Sequence, residues 1–241
     1  MRATEIKAAL QAVSDAEKAA FYPRFFKAGK GEYAEGDRFV GVVVPEQRRI
    51  AKRFHQLPLS EVRKLLRSPL HEYRNTALLI LAEKVRRGDE ATAEVVYEFV
   101  LRDVDRVNHW DLVDLAAPKL IGPRLRGRPK RMKLLDEFAA CDDLWKRRIA
   151  IMSTLPFIRG GDFAPTLRLA DRLLDDDHDL IHKAVGWMLR EVGNRDRATL
   201  LRYLDRHASR MPRTMLRYAL EKLPPSQRRR YLSSAGSRAG M

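Results

Sequence analysis

Three side chains stand out because their type and helical position suit chemistry on a positive charge. In the helix expected after Asn108, Leu112, Val113, Leu115 and Ala116 form the apolar stripe. Trp110 and Asp114 are four residues apart, so they share a face, and that face lies roughly opposite the stripe. A second expected helix, Asp179 to Val192, buries Ile181, Ala184, Val185, Met188 and Val192, and Trp187 falls well off that stripe between Lys183 and Arg190. Tryptophan faces attract cations by roughly 0.5–2 kcal/mol. A fixed carboxylate stabilises a cationic transition state and can take a proton from water. Each residue also has a plainer reading. Either tryptophan can pack on a neighbouring helix, and Asp114 can form a surface salt bridge. Gly186, in mid-helix, costs ~1 kcal/mol relative to alanine and leaves room for a backbone or a sugar to approach. Trp145 lies on its own stripe with Ile149 and Met152 and reads as core.

The elements that must position these residues are helical almost throughout. Apolar residues recur at three- and four-residue steps, as in Ile50, Phe54 and Leu57, or Val96, Val100 and Val104. Prolines from Pro45 to Pro225 mark stops or first turns. Only Phe39 to Val44 is strand-like, and it reads equally as an extended connector. About six helix pairs at a spacing of ~40 residues suggest a HEAT- or armadillo-like solenoid, with a compact multi-helix domain as the competing arrangement. One domain over 1–241 is expected, with a less diagnostic helical region over 1–40 and a disordered tail over 233–241.

The chain has 241 residues and a formal net charge of +15. Its 45% hydrophobic content is enough for a core, which excludes wholesale disorder. There is no apolar run long enough for a membrane span, and Met1 to Leu10 lack the features of a secretory signal. The single cysteine, Cys141, excludes an intrachain disulfide framework and a cysteine-based zinc site. A cytoplasmic protein with a polyanionic partner is the expectation. The positive charge is concentrated in three places. Lys119 to Lys133 carries no acid and reads as a loop; Lys146, Arg147 and Arg148 form a cluster; Arg195 to Arg230 holds eleven basic residues against Asp196, Asp205 and Glu221. Arginine forks suit phosphate, and phosphate contacts give affinity without reading sequence.

Other signals carry less. Asp175 to Asp179 precedes a helix and reads as capping rather than as a metal site. The glycine-rich Gly29 to Asp37 does not match a phosphate-binding loop. His109 reads as a surface or capping histidine. No aromatic-and-amide set for reading a base edge is evident.

Four segments carry a family resemblance. Val107-Asn-His-Trp-Asp-Leu-Val-Asp-Leu-Ala-Ala-Pro-Lys, Leu144-Trp-Lys-Arg-Arg-Ile-Ala-Ile, His182-Lys-Ala-Val-Gly-Trp-Met-Leu-Arg-Glu-Val-Gly and Met211-Pro-Arg-Thr-Met-Leu-Arg-Tyr-Ala-Leu-Glu-Lys resemble, in order, the motifs of the AlkD-type DNA alkylation-repair glycosylases. The resemblance runs from about Gly41 to Leu232. It implies an all-α fold, a right-handed superhelix of HEAT-like antiparallel helix pairs with a basic concave face. The implied activity is monofunctional hydrolysis of the N-glycosidic bond of cationic N3-alkyladenine and N7-alkylguanine in duplex DNA. Recognition without a base-specific pocket is implied as well, with no metal, no cofactor and no obligate protein partner. The family's catalytic aromatic and acid match Trp110 and Asp114, and its second aromatic matches Trp187. Its phosphate-contacting arginine matches Arg148. The helical wheel places Arg148 near the apolar stripe and Arg147 on a polar flank, so either can be the contact. Lys183, Arg190 and Arg213 join them as DNA-binding candidates. The expectation is a monomer that works on the nucleoid of a bacterium. A non-enzymatic HEAT-repeat protein that binds damaged or branched DNA is the alternative.

Overall fold

The computed structural model describes residues 1–234, and the described residues are all-α, with no strand among them. A single isolated parallel bridge joins Arg38 to Leu70, so the strand-like Phe39–Val44 run is an extended connector. The chain divides into two compact units that meet in sequence between Arg124 and Leu125.

In the first unit, α1 (Ala3–Gln11) buries Ile6 and Leu10, and α2 (Ala16–Phe25) buries none of its residues. Asp15 caps α2 by accepting the Lys18 amide at 3.0 Å. The connector then leads to α3 (Val44–Arg53), which opens with Pro45, and to α4 (Leu59–Leu66). The central element is α5 (His71–Arg87), where every residue from His71 to Leu81 is buried. It packs against α3, α4, α6 (Glu90–Arg102) and α7 (Trp110–Ala116). A buried polar run on a central helix needs partners, and most of this one has them, Arg74 Nε and Thr76 Oγ1 being the atoms left over. The Glu72 carboxylate accepts the amides of Val40, Gly41 and Val42 at 2.8–3.3 Å. Gly41 has φ +81°, and a Cβ there would lie 2.0 Å from the Asp15 carbonyl oxygen, so the position requires glycine. At the end of α6, Asp103 is buried and accepts Arg63 at 2.7 Å and Arg67 at 2.8 Å from α4 and its C-cap. Beyond α7 the chain widens into a π turn, Ala117–Ile121, where Pro118 brings no backbone N–H.

The second unit contains α8 (Pro129–Ala139), α9 (Leu144–Met152), α10 (Leu155–Arg159), α11 (Ala164–Arg172), α12 (Asp179–Arg195), α13 (Arg197–His207), α14 (Arg213–Leu220) and α15 (Pro225–Ser234). Asp143 caps α9 and Asp196 caps α13. The long helix α12 is central and packs against α9, α13 and α14. At Gly186 the α14 backbone comes so close that a Cβ would lie 2.5 Å from the Met215 carbonyl oxygen. The missing side chain therefore admits a backbone.

Two details differ from the sequence reading. Lys119 to Lys133 is not one loop: Lys119 lies in the π turn, and Pro129 starts a helix, because its fixed φ suits a first turn. Trp145 is only half-buried although its stripe partners Ile149 and Met152 are buried. In the expected 233–241 tail, α15 runs through Ser234, and residues 235–241 lie outside the described residues.

Candidate functional site

Trp110 is the first residue of α7 and Asp114 lies one turn later; both line the same cleft, about 680 Å³ in volume, within the first unit. Another part of the lining is α2 with the residue that follows it. Phe21, Tyr22, Phe25 and Phe26 form it, and the floor includes Gln47 of α3 with His71 and Asn75 of α5. Phe21 and Phe25 are 54% and 53% exposed, unusual for side chains of this size on a helix with no buried face. Phe26 lies nearly parallel to Trp110, with ring centroids 6.0 Å apart and an interplanar angle of 26°. Both Trp110 and Asp114 are half-buried.

Beneath the tryptophan is a buried charged network. The His71 imidazole donates from Nδ1 to Asp37 at 3.1 Å and from Nε2 to Asp111 at 2.9 Å. Arg74 donates to the same Asp37 oxygen at 2.6 Å. The other Asp111 oxygen accepts from His109 Nδ1 at 2.7 Å and from the Leu112 amide at 2.8 Å. His109 Nε2 faces the Phe26 carbonyl at 3.2 Å. Of the two roles read from its position, His109 does occupy the N-cap of α7, but it is fully buried rather than at the surface, and its side chain is turned to Asp111 and the Phe26 carbonyl instead of capping the helix.

Burial alone would depress the His71 imidazolium, but its hydrogen bonds to the Asp111 and Asp37 carboxylates outweigh burial and raise its pKa to about 9. Burial would likewise raise Asp111, yet hydrogen bonds from His109 and His71 hold it well below the usual carboxylate range. At Asp37, too, bonds from His71 and Arg74 overcome burial and lower the carboxyl. Ligand atoms of His71, His109 and Asp111 lie within 4.8 Å of one another, a grouping that can hold a metal. Both His71 nitrogens lie within hydrogen-bond distance of carboxylates, Asp37 and Asp111, so the group as it stands is a hydrogen-bonded charged cluster.

The remaining expected residues belong to the second unit. Trp187 is half-buried on α12 and donates its indole N–H to Glu191 at 3.1 Å. Arg148 is buried at 4% exposure and donates to the Leu180 carbonyl at 2.5 Å, in keeping with its place near the apolar stripe. Arg147 donates to Asp176 at 2.7 Å and to the Asp142 carbonyl at 2.8 Å. Lys183 pairs with Asp179 at 2.7 Å, Arg190 pairs with Glu221, and exposed Arg213 donates to the Leu232 carbonyl at 2.7 Å. In the aspartate run, Asp176 accepts the His178 amide and Arg147, while His178 itself caps α12.

The sequence reading missed the aromatic wall and the buried network. The dense run Phe21-Tyr22-Pro23-Arg24-Phe25-Phe26 carried a signal for the wall. Nothing local signalled the network, whose His71 contacts span 34 and 40 residues.

A family defined by the description DNA alkylation repair enzyme matches residues 6–223, and the chain belongs to that family. A solved structure described as a predicted DNA alkylation repair enzyme from Enterococcus faecalis is similar to this chain at 18% identity, covering 88% of this chain and 97% of its own, with a TM-score of 0.69. That likeness establishes the helical fold. No curated protein matches the chain. No helix among the described residues is long and apolar enough to cross a membrane.

Proposed function

We propose that the protein is a monofunctional DNA glycosylase that hydrolyses the N-glycosidic bond of positively charged alkylated purines, N3-alkyladenine and N7-alkylguanine, in duplex DNA. The observation that carries this reading is the placement of Trp110 and Asp114 on one wall of a single cleft, in a member of a DNA alkylation repair family. An N3- or N7-alkylated purine already carries positive charge. As the bond from its ring nitrogen to C1′ breaks, the electron pair moves onto the base and neutralises it, so no acid is needed. Positive charge then develops on the deoxyribose. Asp114 stabilises it electrostatically and takes the proton of the water that adds to C1′. Trp110 and Trp187 offer aromatic faces to the cationic nucleotide. Arg148 and Arg147, with Lys183, Arg190 and Arg213, serve the phosphates of the duplex. The reading includes a HEAT-like superhelix that acts as a monomer on the nucleoid, without metal or cofactor.

The test is release of N7-methylguanine from methylated duplex DNA. Asp114→Asn should lower single-turnover release by roughly 10²–10³-fold while duplex binding persists. Equal release by this variant removes Asp114 from the chemistry. No release from the wild-type protein, with duplex binding intact, favours the non-enzymatic reading.

A further inference from the structure

Helix α7 carries both Trp110 and Asp114, yet it has only seven residues. A helix that short has little stability of its own in water, so contacts made elsewhere must fix its first turn and its rotation about its axis. Its N-cap residue, His109, gives no side-chain hydrogen bond to the turn. Asp111, the second residue of the helix, takes over that work. One of its oxygens accepts the Leu112 amide at 2.8 Å and His109 Nδ1 at 2.7 Å, and the other accepts His71 Nε2 at 2.9 Å. A carboxylate in a first turn also complements the helix dipole.

From Asp111 the bonds run to two other parts of the cleft. His71 opens α5 and donates onward from Nδ1 to Asp37 at 3.1 Å, which Arg74 also holds at 2.6 Å. His109 reaches the other way, from Nε2 to the Phe26 carbonyl at 3.2 Å, just beyond the end of α2. The Phe26 ring in turn lies 4.9 Å from that of His71 and 6.0 Å from that of Trp110. A continuous path of hydrogen bonds therefore joins α2, α7 and α5. His71 and His109 are 2% and 0% exposed, so water does not compete for these bonds. Trp110 immediately precedes Asp111, and Asp114 lies one turn beyond Trp110 on the same face, so a rotation of the first turn displaces both.

We infer that Asp111, His71 and His109 are positioning residues: Asp111, clamped between the two imidazoles, sets the rotation of α7 and so aims the Trp110 ring and the Asp114 carboxylate at the reacting sugar. The reaction in this inference rests on the glycosylase reading; the clamp itself does not. A misplacement of ~1 Å at a reacting group can cost about 10²-fold in rate, which is the scale on which such a clamp acts.

The two imidazoles meet Asp111 through different nitrogens, and this makes a test selective. An asparagine amide nitrogen takes roughly the place of Nδ1, and a glutamine amide nitrogen that of Nε2. His71→Gln therefore keeps a donor for Asp111, whereas His71→Asn keeps one only for Asp37. At His109 the order reverses: His109→Asn keeps the donor for Asp111, and His109→Gln keeps only that for the Phe26 carbonyl. Single-turnover release of N7-methylguanine from methylated duplex should fall by about 10–10²-fold in His71→Asn and His109→Gln and by less than about threefold in the other two, with the half-saturating DNA concentration unchanged. Each pair loses the same ring, so melting temperatures should fall alike within a pair, and stability alone does not produce the reversed order. Equal rates within both pairs, or the same ranking of asparagine and glutamine at the two positions, overturns the clamp.

A second measurement needs no DNA. With Trp145→Phe and Trp187→Phe, Trp110 is the one tryptophan left of three. Its fluorescence anisotropy should drop, and its quenching by acrylamide rise, in His71→Asn and His109→Gln but not in their counterparts. Unchanged anisotropy in all four overturns the clamp. Where a histidine variant fails to melt cooperatively, Asp111→Asn takes its place: it keeps the volume, turns an N–H toward one imidazole and should show the same loss of rate and anisotropy, and wild-type values in it overturn the clamp. A wild type that releases no base removes the glycosylase reading, and the fluorescence order then decides the clamp alone. Release by the wild type without the reversed order leaves the glycosylase and removes the clamp.

Discussion

Trp110 and Trp187 give the same signal on a helical wheel, a large ring off the apolar stripe, yet different physics holds them. Trp110 opens α7 above a buried set of full charges, where Asp111 is fixed by two imidazoles and Asp37 by an imidazole and a guanidinium. Trp187 lies mid-helix on α12, tied by one bond to Glu191, beside a glycine pressed by the α14 backbone. The first arrangement is electrostatic and costly to build, because each ion had to leave water. The second is steric and uncharged at its closest point. A buried charge network responds to pH and to loss of one partner, whereas a backbone contact responds to volume.

The largest effect should follow from breaking the charged network. Asp37→Ala leaves the Arg74 and His71 charges buried without this carboxylate, and such losses cost about 3–5 kcal/mol. Chemical denaturation should show this drop, and a change below about 1 kcal/mol would mean that water reaches the cluster. A pH scan gives the next effect. The folded pKa of His71 is raised to about 9 from 6.5, so its contribution is fully present below pH 6.5 and is lost as pH rises through about 9. At 1.36 kcal/mol per unit, the wild type should lose about 3 kcal/mol across that window relative to His71→Asn. Parallel curves for the two proteins would place the proton elsewhere. The smallest effect is expected at the steric contact. Gly186→Ala should cost about 1–3 kcal/mol by overpacking against α14, with the same cost at pH 6 and pH 9. A pH-dependent cost there would dissolve the contrast between the two tryptophans.

What was legible in the sequence is local or periodic. Trp110 and Asp114 are one turn apart, so a wheel suffices to place them together, and punctuation by proline and aspartate marks most helix starts. The position of Arg148 was also readable, because a cation at a stripe position must be buried with a partner. The α2 wall was harder. Its aromatic residues are dense in sequence but follow no stripe, since the helix buries no face of its own. The buried network was illegible for a different reason. Asp37, His71 and Asp111 come from a loop and two helices. Only tertiary packing decides which polar residues at helix starts share a dielectric environment.

The Glu72 carboxylate that collects three consecutive amides has a consequence for how the chain can be cut. The connector before α3 has no regular secondary structure and would pass for the easiest place to nick. A protease must draw a segment into its own cleft and pair with its main chain, and the amides of Val40, Gly41 and Val42 are already committed to Glu72. Cleavage should therefore fall earlier, in the turn around Lys30, which is exposed and lies between glycines. The irregular stretch that fastens the aromatic wall to the floor of the cleft is among the parts of the first unit best shielded from digestion.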